Sequence, residues 1–67
     1  MEVHSERESY RQVIPLRTPE GHAASVIVLR RDGRVWITFQ GALTTTVAMS
    51  DPQAEHLTDA ITAARSG

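Results

Sequence analysis

The sequence contains no cysteine, no lysine, few aromatic residues and no long apolar run. Without cysteine there are no disulfides, and His4, His22 and His56 lack partner ligands at the spacing of a zinc finger. No apolar run approaches the roughly 18 residues of a membrane span, and the charged N-terminus lacks the hydrophobic region of a signal peptide. We therefore expect a soluble cytoplasmic protein, not attached to a membrane, that uses no metal and no other cofactor.

The length and charge of the chain limit its architecture and its partners. Its 67 residues make one small domain, whose single core offsets the backbone entropy only narrowly. Because disulfides and metals are excluded, association between chains is the expected source of further stability, and we predict a homodimer. The formal net charge of −1 argues against a general attraction to nucleic acid, although local basic patches stay possible. All seven basic residues are arginines, which indicates a GC-rich coding bias.

Residues 24–39 read as a β-hairpin around which the remaining elements must fit. Two runs rich in Val, Ile, Leu and aromatic residues flank Asp32-Gly33, which suits a two-residue type I′ turn with positive φ at both positions. This turn fixes the register. One face then carries Val26, Val28, Arg30, Val35, Ile37 and Phe39, and the other carries Ile27, Leu29, Arg31, Arg34, Trp36 and Thr38. Since both faces carry large apolar side chains, each face needs a cover.

The remaining segments complete a four-stranded meander. Residues 1–9 are charged and nearly free of apolar side chains, which predicts a disordered tail, with an arm that folds on binding as the alternative. The single α+β domain covers residues 10–67. Its strands are predicted at about 10–17, 23–31, 34–40 and 43–49. Because Pro15 cannot donate a ladder hydrogen bond, the first strand belongs at a sheet edge, and Thr18-Pro19-Glu20-Gly21 fits the β-turn that follows it.

The sequence is compatible with two registers for the fourth strand, which differ in the length of the loop before it. A two-residue loop, Gly41-Ala42, would place Val47 on the face of Trp36, and both faces would be strongly apolar. One extra loop residue would place Val47 beside Ile37. The face of Trp36 would then hold two aliphatic residues and a border of threonines.

One helix is predicted at about residues 51–65, packed on one face of the sheet. Ser50 and Gln53 can form a capping box, and Asp51 suits the positive end of the helix dipole. The apolar stripe of the helix consists of Ala54, Leu57, Ala60, Ile61 and Ala64. We expect its two large residues to anchor the helix on the sheet. A single helix can cover only one of the two apolar faces.

The segment Ser-Asp-Pro-Gln-Ala-Glu-His-Leu-Thr-Asp-Ala-Ile-Thr-Ala-Ala at 50–64, which follows a strand, resembles the ending of many small uncharacterised proteins of actinobacteria and their phages. The resemblance covers roughly the last third of the chain and assigns no catalytic or binding residue. It implies a phage or mobile-element accessory protein that binds a host protein or another copy of itself.

Two groups of side chains are candidates for binding. The face of Trp36 is predicted to be an interface, formed by Ile27, Leu29, Trp36 and Thr38, because the helix cannot cover both faces. The predicted homodimer uses this face or an edge strand of the sheet. The alternative for these residues is an ordinary core under the helix. The second group is the basic hairpin tip of Arg30, Arg31 and Arg34, which could contact nucleic acid or another anion, although charged tips are usually solvated. Protein interaction is the first functional prediction, and nucleic-acid binding is the alternative.

Catalysis ranks last among the function classes. Thr44-Thr45-Thr46 offers hydroxyls, but threonine is simply a good strand former, and no base and orienting acid can be recognised near it. The three histidines fall in the tail, in a turn and at the edge of the helix stripe, so a catalytic role would require them to converge by chance. We predict no enzyme activity and no catalytic residue.

Overall fold

The computed structural model of the chain describes residues 8–67, which form four strands and one helix. These are β1 (Glu8–Arg17), β2 (Ala23–Arg31), β3 (Arg34–Gln40), β4 (Thr44–Met49) and α1 (Asp51–Ser66). The strands make one antiparallel sheet in the order β1-β2-β3-β4, so the predicted meander with a C-terminal helix is confirmed. Most of the predicted N-terminal tail lies outside the described residues, but Glu8 and Ser9, assigned to that tail, belong to β1.

The two turns that precede β2 and β3 follow the sequence signals. Asp32 and Gly33 have φ angles of 55° and 76°, which is the pattern of the predicted type I′ turn. In the first turn, the backbone N–H of Gly21 donates to the carbonyl of Thr18 over 2.8 Å, and Gly21 has a φ of 91°. β1 is an edge strand, as the proline at position 15 requires.

The register of β4 follows the longer of the two loops considered. Ile37 pairs with Val47, and the loop spans Gly41 to Leu43, with the N–H of Gly41 donating to the carbonyl of Leu43 over 3.2 Å. Val47 therefore lies on the same face as Ile37. On the opposite face the hydroxyls of Thr38 and Thr46 are hydrogen-bonded at 2.9 Å, which forms the expected threonine border.

The strand pairings assign the sheet residues other than Ser9, which is unpaired at an irregularity in β1, to one of two faces, because paired residues point to the same side. The Phe39 face carries Tyr10, Gln12, Ile14, Leu16, Ala24, Val26, Val28, Arg30, Val35, Ile37, Phe39, Thr45, Val47 and Met49. The Trp36 face carries Glu8, Arg11, Val13, Pro15, Arg17, Ala23, Ser25, Ile27, Leu29, Arg31, Arg34, Trp36, Thr38, Gln40, Thr44, Thr46 and Ala48.

The helix begins with the predicted capping box. The Ser50 hydroxyl accepts from the backbone N–H of Gln53 over 3.3 Å, and the Gln53 side chain accepts from the N–H of Ser50 over 2.9 Å. At the other end the N–H of Gly67 donates to the carbonyl of Ala63 over 3.1 Å. Both ends of the helix therefore have partners for backbone groups that the helix itself leaves unpaired.

The helix touches the sheet mainly at its first turn. Arg30, on the Phe39 face, donates a hydrogen bond to the carboxylate of Asp51, and α1 contacts β3. Ala54 is half-buried, but Leu57 and Ile61 further along the stripe are 39% and 53% exposed. Both side chains therefore keep a large exposed surface, and their role as anchors of the helix on its own sheet stays a prediction.

The core of the described residues is small. Two apolar side chains, Leu29 and Ile37, are buried at 8% exposure, and they lie on opposite faces of the two central strands. Because neither face is covered along its whole length, the monomer buries little apolar area for its size.

Candidate interaction surfaces

The Phe39 face holds most of the exposed apolar surface of the sheet. Nine large apolar side chains are exposed within residues 8–67, and five of them lie on this face. The five are Tyr10, Ile14, Leu16, Phe39 and Val47. Ile14, Leu16 and Phe39 occupy the end of the face away from the hairpin tip, whereas the helix begins at the tip end. This end of the face is therefore open.

The helix presents a second apolar surface. Leu57 and Ile61 lie one turn apart on the same stripe, and both side chains are exposed. No residue of α1 reaches full burial in the described chain. The helix stripe (Leu57 and Ile61) and the open end of the Phe39 face are thus two apolar surfaces without cover, one on a helix and one on a sheet.

The predicted interface on the Trp36 face is more enclosed than the Phe39 face. Leu29 is buried, while Ile27, Trp36 and Thr38 are half-buried. Their role as an interface stays a prediction. Among the large apolar side chains of the Trp36 face in residues 8–67, Val13 is the exposed one, at 50%.

Trp36 is held in place by residues of its own hairpin. Its indole Nε1–H donates to the carbonyl of Arg31 over 3.0 Å, and the guanidinium carbon of Arg31 lies 4.8 Å from the ring centroid. This distance fits a cation–π contact. The bound Nε1–H and the stacked guanidinium give the indole a fixed position on the face.

The three arginines of the hairpin tip do not act as one group. Arg31 and Arg34 pair across the strands on the Trp36 face, but Arg30 lies on the opposite face and bonds Asp51. The strand β1 brings two further arginines, Arg11 and Arg17, to the Trp36 face. The sequence prediction did not include these two. The two are six positions apart in one strand, and an even spacing places both side chains on the same face. This spacing is the sequence signal that could have predicted them.

Arg11 and Glu8 form an ion pair at the edge of the Trp36 face. The Arg11 Nε donates to one carboxylate oxygen over 2.7 Å, and a terminal guanidinium nitrogen donates to the other over 3.0 Å. These hydrogen bonds hold the pKa of the Glu8 carboxyl below its ordinary value and raise the pKa of Arg11. Arg17 at the far end of the strand donates to the carbonyl of Gly21 over 3.0 Å.

The described residues contain neither a pocket nor a group of side chains suited to a metal ion. His22 lies after the first turn and His56 on the helix, and the two share no cluster of ligands within residues 8–67. Thr44-Thr45-Thr46 forms the first half of β4. No helix in residues 8–67 has the length and apolarity to cross a membrane. The chain matches no protein-family model, no curated protein and no solved structure.

Proposed function

We propose that this chain is a small, non-enzymatic protein-interaction module that works as a homodimer. The observation that supports the proposal is the concentration of exposed apolar side chains on the Phe39 face and on the helix stripe. Apolar patches of this kind on small proteins are typical of interaction sites. A domain of this length also gains the most from association, because its own core contains only two buried apolar side chains in residues 8–67.

The two exposed surfaces suit each other. In the proposed dimer, the helix stripe of each copy lies on the open end of the partner's Phe39 face. A two-fold axis makes both contacts at once, since the same pair of surfaces is used twice. Leu57 and Ile61 then gain cover for the surface that stays exposed in one chain.

The two surfaces supply the apolar centre of this contact. Ile14, Leu16, Phe39, Leu57 and Ile61 are each 39–53% exposed. With about 150–200 Å² for a fully exposed large side chain, they leave roughly 400 Å² uncovered per chain, so two chains bring together roughly 800 Å². The rest of the roughly 1,200 Å² that a specific interface needs comes from the residues around the two surfaces.

Light scattering across a dilution series tests the association. We expect a dimer for the natural chain and a monomer for Phe39→Ser and for Ile61→Ser, because a serine in either surface removes an apolar anchor. Val13→Ser is the matched control, since Val13 and Phe39 are both 50% exposed but lie on opposite faces. A natural chain that stays monomeric at the highest concentration overturns the homodimer, and so does a Val13→Ser variant that dissociates like Phe39→Ser.

Disulfide trapping tests the arrangement of the two copies. The chain has no cysteine, so a pair of cysteines at Phe39 and Ile61 would be the only thiols present. Oxidised Phe39→Cys/Ile61→Cys protein should run as a covalent dimer on a non-reducing gel, with each single variant as a control. A covalently closed monomer would instead show that the helix folds back on its own sheet.

A host protein is the other occupant considered for these surfaces. The resemblance of residues 50–64 to small phage and actinobacterial proteins supports that alternative. A monomeric natural chain whose Phe39 face and helix stripe stay exposed in solution would favour it over self-association.

A further inference from the structure

The charges of this chain are sorted between its surfaces. Of the six arginines in residues 8–67, four lie on the Trp36 face: Arg11, Arg17, Arg31 and Arg34. Of the six carboxylate residues in the same range, Glu8 is on this face, and the others occupy turns (Glu20, Asp32) or the helix (Asp51, Glu55, Asp59). Within residues 8–67, four positive charges against one negative charge give the Trp36 face a formal charge of +3, although the six arginines and six carboxylates of the same residues sum to zero.

Three of the four arginines lie near a fixed aromatic ring. Arg31 and Arg34 face each other directly across the hairpin, and Arg11 belongs to the same row of paired residues as Trp36. The indole is already held by its hydrogen bond to the Arg31 carbonyl. A planar ligand would therefore meet the Arg31 guanidinium, which lies over an ordered ring.

We propose that the Trp36 face binds a single-stranded nucleic acid. Arg11, Arg17 and Arg34 contact phosphates, a base stacks on the Arg31 guanidinium that lies over Trp36, and the Thr38 and Thr46 hydroxyls border the path of the strand. This assignment uses a different surface from the proposed dimer and does not rest on it. In that dimer the Trp36 faces of both copies stay open.

The shape of the face favours a single strand over a duplex. Three spacings of about 4.8 Å make the four-stranded sheet roughly 14 Å wide, whereas the major groove of B-DNA is about 12 Å wide. The full four-stranded sheet is therefore too wide to insert its face into the major groove. A single strand can lie across the sheet and expose its bases to the Arg31 guanidinium.

The Glu8–Arg11 pair provides an internal competitor for the ligand. The Glu8 carboxylate accepts hydrogen bonds from the Nε and from one terminal nitrogen of Arg11. Removing the carboxylate charge releases Arg11 for a phosphate and raises the formal charge of the face to +4. Glu8→Gln should therefore bind more tightly than the natural chain, by roughly three- to tenfold. Glu55→Gln makes the same change in net charge on the helix and should leave the affinity unchanged.

Fluorescence anisotropy of a labelled, mixed-sequence DNA strand of about ten nucleotides measures the binding. We expect affinity that falls steeply with salt and quenching of Trp36 fluorescence on binding. Arg34→Gln and Arg11→Gln should each weaken binding roughly tenfold and flatten the salt dependence. Arg65→Gln is the matched control, because it removes the same charge from the last turn of the helix.

Several outcomes overturn the proposal. They are the lack of salt-dependent binding to the single strand, equal or tighter binding to the matching duplex, and an Arg65→Gln variant as weak as Arg34→Gln. Trp36→Ala should weaken binding, and where it does not fold, Trp36→Phe, which keeps a ring, should bind the strand like the natural chain. Light scattering on the same samples separates the two proposals: Phe39→Ser should become monomeric and still bind the strand, whereas Arg34→Gln should stay dimeric and lose affinity.

Discussion

The guanidinium of Arg30 in β2 donates a hydrogen bond to the carboxylate of Asp51 in the first turn of α1. This ion pair crosses β3 and fixes the start of the helix over the Phe39 face. The two side chains are 38% and 67% exposed, so solvent screens their attraction. Asp51→Asn should lower the free energy of unfolding by about 0.5–1 kcal/mol, from the lost pair together with the lost charge at the positive end of the helix dipole.

Urea unfolding at low and high salt checks this value, because salt screens an exposed ion pair. The difference between Asp51→Asn and the natural chain should shrink at high salt. Asp59→Asn, in the middle of the same helix, is the control and should change stability less. Equal losses for the two variants would show that the Arg30–Asp51 pair does not stabilise the docked helix.

The capping box predicts a loss of stability at Ser50. Ser50→Ala removes the acceptor for the Gln53 N–H and should cost about 1 kcal/mol, or about 4–8 °C in Tm for a domain of this size. Thermal unfolding followed by circular dichroism measures it. Ser66→Ala removes a hydroxyl that donates to the carbonyl of Thr62 in the last turn, and it should change Tm little. Similar effects for both serines would rule out a special role for the cap.

The backbone angles of two loop glycines, Gly33 and Gly41, predict opposite effects of an alanine substitution. Gly33 has a φ of 76°, so Gly33→Ala should destabilise the fold by about 1–2 kcal/mol. Gly41 has no positive φ, and a Cβ there would lie 3.7 Å from the Cβ of Ala24, which is ordinary contact. Gly41→Ala should be neutral or stabilise by up to about 1 kcal/mol. Denaturant unfolding of the two variants compares them, and a larger loss at Gly41 would contradict the turn assignment.

The two buried side chains predict a steep response to truncation. Leu29→Ala and Ile37→Ala should each lower the free energy of unfolding by about 2–4 kcal/mol, because each removes a large part of a small core. For a domain of marginal stability this loss leaves much of the protein unfolded. Amide chemical-shift dispersion and urea unfolding at one fixed protein concentration report it. Val13→Ala, at an exposed position, should stay within about 0.5 kcal/mol of the natural chain, and equal losses would contradict the assigned core.

Local signals were sufficient to predict most of the fold. The Asp32-Gly33 turn sets the hairpin register through the φ angles of two residues, and the Ser50–Gln53 pair sets the helix start through bonds within four residues. The strand order followed from short connections. The register of β4 depends in addition on the length of the Gly41–Leu43 loop. A hydrogen bond within the loop accompanies this length, and the apolar periodicity of the strand does not reveal it.

The candidate surfaces depend on contacts between distant segments, so the sequence predicted them less well. How far α1 covers the sheet depends on its angle to β3, and the apolar stripe of the helix contains no information about that angle. The sequence therefore could not show that Leu57 and Ile61 keep 39% and 53% of their surface exposed. The basic surface likewise needs the β1–β2 pairing, which brings Arg11 into the row of Trp36 across two strands.

The two edges of the sheet differ in their protection against pairing with another strand. On β1, Pro15 removes one N–H and the pair of Glu8 and Arg11 adds charge, both of which discourage a neighbour. On β4 the sequence Thr-Thr-Thr-Val-Ala-Met has neither charge nor proline, and its outer backbone groups face away from β3. In concentrated solution we expect fibre growth to start at the β4 edge, and Thr45→Lys to delay it.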